Sequence, residues 1–283
     1  MSKYEDAFNN FDLNLQDEEV RKKTGVIIEK SGENNTPEVL KFLYSCIDLT
    51  SLNTEDTNEA IWRLTERVND FEGSLPDVPN VAAICVYPNF VATVKEALTA
   101  DVRIAAVAGG FPSSQTFIEV KIAEVALAVG DGADEIDIVL NAGAFFEENW
   151  DELCREIEEI KEACRDARLK VILETGLLKT ASNIRKAAIL AMYSGADFIK
   201  TSTGKVYPGA SPEAVYVICQ TIKEYYRLHR EKIGIKISGG VRTAEEAVKY
   251  YTLVKEILGK EWLSPEYFRI GASSLTKNLL EKI

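Results

Sequence analysis

Short runs of β-branched and other apolar residues recur along the chain, separated by longer stretches with helical periodicity. In the stretch 148–167, for example, Trp150, Leu153, Ile157 and Ile160 fall at the spacing of one helix face. Strand-like runs that alternate with helices indicate βα repetition and a parallel sheet. The strand-like runs are 43–50, 82–88, 103–110, 135–141, 170–176, 198–204, 234–240 and 268–274.

The number of repeats favours a closed barrel. Eight runs within about 240 residues match the size of an α/β protein of the (β/α)8 TIM barrel type. The main rival is a doubly wound open sheet, but no G-x-G-x-x-G follows the first run and no G-x-x-x-x-G-K-[ST] is present. Residues 1–36 are polar and acidic and end in SGENNTP. We therefore expect a helical N-terminal extension over 1–36, packed on a catalytic barrel that spans 37–283.

Charged residues interrupt several of these runs at positions that share one face. Strand side chains alternate between faces, so Ile235 and Ile237 in GIKIS face one way and Lys236 faces the other. A structural network of ion pairs would explain such buried charges. Catalytic groups lie at the carboxyl ends of barrel strands, however, which favours a functional site. The charged residues predicted inside the barrel are Asp48, Asp137, Lys200 and Lys236.

Two of these residues, Lys200 and Lys236, lie on consecutive predicted strands, so their ammonium groups can approach each other. Burial and a nearby cation both lower the pKa of a lysine, and a neutral lysine amine attacks carbonyl carbons. One lysine would then act as the nucleophile while the other stays charged. Asp137 is a candidate proton carrier, because the single histidine, His229, lies in a helical stretch and is predicted on the surface.

The loops after the last two predicted strands have the composition of a phosphate site. They read SGGVRTAEEA and GASSLTKNLL, and both run from Gly and Ser into a predicted helix. Glycine lets the backbone approach an anion, and helix N-termini offer amide donors. Barrels of this type often bind phosphate with these two loops. Lys205, just after the sixth strand, is a further candidate.

Composition narrows the function classes. The chain has 283 residues and a net charge of −12, which argues against a nucleic-acid partner and against an anionic membrane surface. No apolar run reaches the roughly 18 residues of a membrane span, and the first residues lack the apolar segment of a secretory signal. Five cysteines without a C-x-x-C pair predict a reducing, cytoplasmic location, and one histidine leaves little for a metal site.

Six segments of the chain together resemble a known family. They are IDLTSLN, AAICVYP, GADEIDIVLN, GADFIKTSTGK, GGVRTAEEA and FRIGASSL, in this order over residues 43–276. The chain resembles the deoxyribose-phosphate aldolases, class I aldolases of deoxynucleoside breakdown. The resemblance implies a barrel that reversibly cleaves 2-deoxy-D-ribose 5-phosphate to D-glyceraldehyde 3-phosphate and acetaldehyde, with no metal or other cofactor. Its partners would be this sugar phosphate and these aldehydes, and a homo-oligomer is left open.

The resemblance also implies a role for individual positions. Lys200 in FIKTSTGK would form the Schiff base, Lys236 in GIKISGG would tune it, and Asp137 in EIDIV would relay protons. A cysteine in the second strand resembles the family's cysteine near the aldehyde, although a packing role suits a buried strand position better. The residues implied to line the sugar site are Asp48, Thr50, Cys85, Thr203 and Lys205. Those implied to hold the phosphate are Gly204, Gly239, Gly240, Val241, Arg242, Gly271, Ser273 and Ser274.

Three departures from the family pattern bear on this assignment. Ile237 and Ser238 stand where the family has Pro-Ala in K-P-A-G-G, and Leu177 replaces a carboxylate in E-T-G-E-L. The sequence ends in LLEKI, without the tyrosine tail that assists proton transfer in many members, so slower enamine protonation is expected. Two alternatives stay open: a Schiff-base aldolase for a different sugar phosphate, and a barrel that binds a sugar phosphate without turnover.

Overall fold

Eight parallel strands close into a barrel in the order in which they occur along the chain. A computed structural model describes residues 3–283. Each strand pairs with the next, and the eighth closes on the first, with Ile47 opposite Ile270. The predicted (β/α)8 barrel is thereby confirmed. The strands are β1 (Ile47–Thr50), β2 (Ala83–Val86), β3 (Arg103–Val107), β4 (Glu135–Val139), β5 (Arg168–Ile172), β6 (Phe198–Lys200), β7 (Gly234–Ser238) and β8 (Phe268–Ala272).

Helices surround the barrel, and short 3-10 turns at Glu29–Asn34, Pro88–Phe90 and Lys260–Trp262 join some of them. No helix within residues 3–283 combines the length and the hydropathy that a membrane span needs. The helices described are α1 (Lys3–Phe8), α2 (Asp17–Ile28), α3 (Pro37–Ser45), α4 (Asn58–Phe71), α5 (Val91–Ala97), α6 (Ile118–Gly130), α7 (Ala142–Phe146), α8 (Trp150–Cys164), α9 (Thr175–Leu178), α10 (Ala181–Tyr193), α11 (Pro212–His229), α12 (Ala244–Leu258) and α13 (Leu275–Leu280).

The main hydrophobic core lies between the strands and the helices. Ile136 and Ile138 on β4 are buried in it, as are Ile235 and Ile237 on β7. The apolar face predicted for 148–167 forms part of the same core through the buried side of α8. Because alternate strand residues point to opposite faces, a strand residue in this core places its neighbours along the strand in the barrel interior.

The strands are shorter than the predicted runs, and the differences define the mouth of the barrel. Residues 43–45 belong to α3, which begins after Thr36, whose hydroxyl accepts from the amide of Val39. β6 ends at Lys200, so residues 201–204 form a loop. β5 ends at Ile172, and two residues later Glu174 adopts a left-handed conformation with φ 56°. The polar ends of these runs therefore surround the opening at the carboxyl ends of the strands.

The N-terminal segment runs along the outside of the helical layer. α2 packs against α11 and α12. The Asp17 carboxylate accepts from the amide of Ala181 at the start of α10 (2.7 Å), and Arg185 donates to the carbonyl of Asp12 (2.7 Å). Buried Asn34 donates to the hydroxyl of Thr252 on α12 (3.0 Å). The division of the chain at residue 36 into an extension and a catalytic domain stays a prediction.

The barrel interior has an apolar side and a charged side. Small apolar residues from β2 and β3 form one cluster together with Leu52 from the loop after β1. The remaining strands contribute the buried charges, which lie opposite this cluster. The apolar cluster consists of Leu52, Ala83, Cys85, Ala105 and Val107.

Candidate active site

Asp137 is the centre of the site, because three lysines converge on its carboxylate. Lys200 and Lys236 each place their Nζ 2.7 Å from the same oxygen, Oδ2. Lys170 places its Nζ 2.9 Å from the other oxygen, Oδ1. The strand register causes this convergence, since Asp137 pairs with Lys170 across β4 and β5, and Lys200 pairs with Lys236 across β6 and β7.

A second group of charges lies behind this one, inside the barrel. The Asp48 carboxylate bridges Lys236 (2.5 Å) and Arg269 (2.6 Å). Glu135 binds Arg269 at 2.7 Å and Lys170 at 2.6 Å. Asp48 thus joins the two groups of charges into one network, and it lies below the cavity described next.

Three members of this network were missed by the sequence-based prediction: Glu135, Lys170 and Arg269. Each follows the strand alternation that revealed the others. Arg269, for example, lies between Phe268 and Ile270, both of which are buried in the outer core. The signal was therefore present in the sequence, at or near the first position of the predicted runs 135–141, 170–176 and 268–274.

Burial and neighbouring charges set the protonation of the central groups. Burial lowers the pKa of Lys200 below its ordinary value, while Asp137 acts to raise it and Lys236 to lower it further. Burial would also lower the pKa of Lys236, but Asp137 and Asp48 raise that pKa well above its ordinary value. The cationic neighbour invoked from the sequence does contribute at Lys200, although burial is the larger cause.

The charge count of the interior agrees with a neutral Lys200. Among the described residues, the buried members of the network are four cations and three carboxylates, and the chain of ion pairs continues from Glu135 to the partly exposed Arg103. Full ionisation would therefore leave one uncompensated positive charge among the buried groups. An unpaired buried charge is strongly unfavourable, and loss of a proton removes it. Burial opposes the charge of Asp137, yet Lys170, Lys200 and Lys236 hold its pKa well below the ordinary range. The proton is therefore lost from an amine.

A cavity of about 230 Å³ opens above Lys200 at the mouth of the barrel. Of the charged residues in the buried network, Lys200 is the one that lines this cavity, and its side chain is 4% exposed. Asp48, Cys85, Asp137 and Lys236 lie beneath the cavity wall. The predicted residues that line it are Thr50, Lys200, Thr203, Gly204, Lys205, Gly239, Gly240, Val241, Arg242, Gly271, Ser273 and Ser274, joined by Leu52, Asn53, Ser238 and Ala272.

The loop after β6 is fixed on two sides of this cavity. Buried Glu174 accepts from the hydroxyl of Thr203 (2.5 Å) and from its amide (3.3 Å). Lys205 donates from its backbone amide to the same hydroxyl (3.2 Å), and its ammonium group binds the carbonyl of Leu52. Glu174 was not among the predicted site residues. These bonds hold Thr203 and Lys205 at the rim.

The two glycine-rich loops form the opposite wall. Gly239 and Gly240 both have φ of 88°, a conformation that favours glycine. A Cβ at Gly239 would lie 2.8 Å from the Cα of Gly209, so the close approach of the loop after β7 to the loop after β6 also requires glycine. The amide of Arg242 donates to Glu246 on α12 (2.8 Å), and this donor is therefore already engaged within the chain.

The model of the DeoC/LacD family aldolases matches residues 42–277. The chain belongs to this family. It is 41% identical over 248 residues to the deoxyribose-phosphate aldolase of Homo sapiens, covering 84% of this chain and 78% of the relative. The Bos taurus deoxyribose-phosphate aldolase is 40% identical over 250 residues, which cover 84% of this chain and 79% of the relative.

A solved structure agrees with the family assignment. The deoxyribose phosphate aldolase from Aeropyrum pernix, described as having a unique tetrameric structure, matches with a TM-score of 0.69 at 25% identity. The match covers 90% of this chain and 95% of the Aeropyrum chain. The family model and the comparison of structures therefore both identify an aldolase with a barrel fold.

The departures of this aldolase from the family pattern leave the lysine network in place. Ile237 faces the outer core, and Ser238 donates through its hydroxyl to the carbonyl of Ser202 (2.6 Å). The Ser238 amide also donates to the hydroxyl of Thr201 (3.0 Å), which joins the ends of β6 and β7. Leu177 is half-buried within the short α9. Ser238 therefore reinforces the wall of the cavity.

The surroundings of Cys85 and of His229 do not favour a catalytic role for either residue. The Cys85 sulfur lies 3.9 Å from Lys236 Nζ, and burial raises the pKa of the thiol. Its strand neighbours inside the barrel are small and apolar, as a packing role requires. His229 is exposed near the end of α11 and contacts the hydroxyl of Tyr193 (2.8 Å).

Within residues 3–283, no group of three or more His, Cys, Asp or Glu side chains is arranged to hold a metal ion.

Proposed function

We propose that this aldolase reversibly cleaves 2-deoxy-D-ribose 5-phosphate to D-glyceraldehyde 3-phosphate and acetaldehyde through a Schiff base on Lys200. The observation that carries the proposal is a buried amine with a lowered pKa that lines the cavity above a carboxylate and a second lysine. The names of the human and bovine relatives support the choice of substrate.

The first half of the reaction uses Lys200 as the nucleophile. Its neutral Nζ adds to C1 of the open-chain sugar, and loss of water gives a protonated imine. A base removes the proton of the 3-hydroxyl, and the C2–C3 bond breaks to release D-glyceraldehyde 3-phosphate. The electron pair of that bond forms the enamine and neutralises the nitrogen. The imine is cationic, so the Asp137 oxygen 2.7 Å from Lys200 favours its formation.

The second half returns a proton to carbon. The enamine takes a proton at C2, water then adds to the imine, and acetaldehyde leaves as Lys200 becomes a free amine again. Asp137 is the proposed proton relay, acting with water that enters through the cavity. Lys236, held charged by Asp137 and Asp48, opposes a second positive charge on Lys200 and so keeps the free amine neutral.

The far end of the cavity is the proposed phosphate site. The glycine loop after β7 and the serines after β8 form its backbone wall, and Lys205 and Arg242 add positive charge. Thr50 and Thr203 would contact the sugar hydroxyls between the two ends. Asp48 does not line the cavity, so it would act on the substrate only through its ion pair with Lys236. Cys85 does not line the cavity either, and its sulfur contacts Lys236.

The surroundings of the enzyme are part of the proposal. The five cysteines are all buried free thiols, which supports a reducing cytoplasmic location. We propose a homo-oligomer because the Aeropyrum pernix relative is tetrameric. The reaction steps above need only side chains of this chain, so no cofactor is proposed.

The proposed function is tested by trapping and by product analysis on one protein sample. Acetaldehyde and borohydride should add a two-carbon adduct to the Lys200 peptide, and 2-deoxy-D-ribose 5-phosphate should yield both aldehydes. Lys200→Leu should lose adduct and turnover together. Lys121→Met is a matched control, because Lys121 is also fully buried and paired with a carboxylate, Glu156 at 2.6 Å, but lies outside the cavity.

Each alternative has its own outcome in this experiment. An adduct with turnover of a different sugar phosphate would identify an aldolase of other specificity. Binding of the sugar phosphate without adduct or products would identify a non-catalytic barrel. An unmodified Lys200 peptide in an active enzyme would refute the Schiff base at this position.

A further inference from the structure

Lys170 is a buried lysine that the proposed reaction does not use. It lies on β5 with its side chain fully buried, and it is not among the residues that line the cavity. Its Nζ contacts Asp137 Oδ1 at 2.9 Å and Glu135 at 2.6 Å, and Asp48 lies 3.7 Å away. It therefore cannot touch the substrate, and any influence on the reaction must pass through these carboxylates.

The contact with Asp137 fixes the direction of that carboxylate. A carboxylate has two oxygens, and Lys170 binds one of them from the closed side of the barrel. The other oxygen then faces the open side, where Lys200 and Lys236 share it. Without the bond from Lys170, rotation of the carboxylate would separate the shared oxygen from one or both lysines.

Lys170 also completes the charge count of the interior. With it, buried cations outnumber buried carboxylates by one, and the excess falls on the amine next to the cavity. Without it, cations and carboxylates would be equal in number, and a protonated Lys200 would be balanced. Glu135 acts in the opposite sense, because its removal would increase the excess of positive charge.

We propose that Lys170 is a positioning residue for the aldolase reaction: it aims Asp137 Oδ2 at Lys200 and Lys236, and with Glu135 it sets the charge balance that keeps the Lys200 amine neutral. This inference rests on the proposed function, since it assigns Lys200 the role of nucleophile. It predicts that two residues remote from the substrate tune the same amine in opposite directions.

Several charged and titratable groups face Lys200, and the test changes only Lys170 and Glu135 among them. The nearest are the Asp137 carboxylate, whose Oδ2 binds Lys200, and the Lys236 ammonium group, which binds the same oxygen. The full set, from every strand and loop around the amine, is Asp48, Cys85, Glu135, Asp137, Lys170, Glu174, Lys205, Lys236, Arg242 and Arg269.

The experiment compares Lys170→Met, Glu135→Gln and the double variant with the wild type. The initial rate of Lys200 modification by acetaldehyde and cyanoborohydride is measured by peptide mass mapping from pH 5 to 10. We expect the midpoint of the rate profile to move up by about one pH unit in Lys170→Met and down by a similar amount in Glu135→Gln. The double variant should return to within about 0.5 unit of the wild type.

Circular dichroism and thermal unfolding show which variants fold. The double variant removes two opposite charges together and leaves neither uncompensated. If Lys170→Met does not fold, Glu135→Gln decides the question alone, since an unchanged or raised midpoint overturns the proposal.

The results separate this proposal from the proposed function. Opposite shifts of the two single variants support it, whereas unchanged midpoints, or shifts in the same direction, overturn it while the Schiff base stands. No modification of Lys200 in the wild type refutes the proposed function, and this inference with it.

Discussion

The two groups of charges inside the barrel contain similar residues but differ in balance. Around Arg269, two carboxylates face one guanidinium group, with Glu135 at 2.7 Å and Asp48 at 2.6 Å. Around Asp137, three lysines share one carboxylate. The three side chains of the first group are buried and carry an excess of negative charge, and Glu135 extends to the partly exposed Arg103 (3.2 Å). The second group is rich in positive charge and meets the cavity. The proposed reactivity of the Lys200 amine depends on this excess of cations at the open end.

The difference follows from where each strand ends. Arg269 and Glu135 occupy the second position of β8 and the first of β4, far from the mouth. Lys200 is the last residue of β6, so its amine reaches the cavity. A charge deep in the barrel must be paired, whereas an amine at the mouth can lose a proton to water and gain a carbonyl substrate.

The largest effect is expected at the cation-rich end, from Asp137→Asn. Turnover should fall by about 10²–10⁴-fold, because the proton relay is lost. Adduct formation on Lys200 at neutral pH should persist, since Asp137 raises the pKa of that amine and its removal lowers the pKa further. Steady-state assays and mass mapping measure the two effects. Equal losses of adduct and turnover would contradict a separate relay role.

At the carboxylate-rich end, Arg269→Met should affect stability. It removes the nearest guanidinium group from Glu135 and Asp48, which keep Lys170, Lys236 and the partly exposed Arg103 as partners. Breaking a buried ion pair from one side costs about 3–5 kcal/mol. Urea unfolding at pH 7, followed by circular dichroism, measures the loss. A change below about 1 kcal/mol would show that the remaining cations compensate Glu135 and Asp48, which would contradict a structural role for Arg269 at this end of the barrel.

The smallest effect is expected from Glu266→Gln, the matched control. Glu266 binds Arg103 (2.5 Å) and Arg168 next to the same end of the barrel, but its side chain is 44% exposed. An exposed ion pair contributes about 0–1 kcal/mol, so unfolding and turnover should be nearly unchanged. A loss as large as that of Arg269→Met would mean that burial does not separate the two kinds of pair.

Much of this arrangement could be predicted from strand alternation alone. Outward isoleucines on β4 and β7 require inward neighbours, and these are Asp137 and Lys236. Lys170 obeys the same rule, but it is the first residue of the predicted run 170–176, so that run shows no preceding residue to mark the face. Extending the run back to Leu169 would have found it, and Arg269 already lay between Phe268 and Ile270 within its own run.

Other features depend on contacts that no local pattern encodes. The sharing of Asp137 Oδ2 by two lysines depends on the register of four strands across the barrel. The bond from Thr203 to Glu174 joins two loops 29 residues apart. The packing of α2 on α11 and α12 likewise depends on surfaces that exist only after the barrel has closed.

The most direct test is the pH dependence of Lys200 acetylation by acetic anhydride in the unliganded wild-type enzyme. Mass mapping would follow the Lys200 peptide beside those of exposed lysines, which serve as internal references. A buried amine with a lowered pKa becomes neutral at a lower pH, so its reactivity profile should have its midpoint below 10.5, the pKa of an ordinary lysine. A profile that rises together with the exposed lysines, or only above that pH, would contradict the central claim.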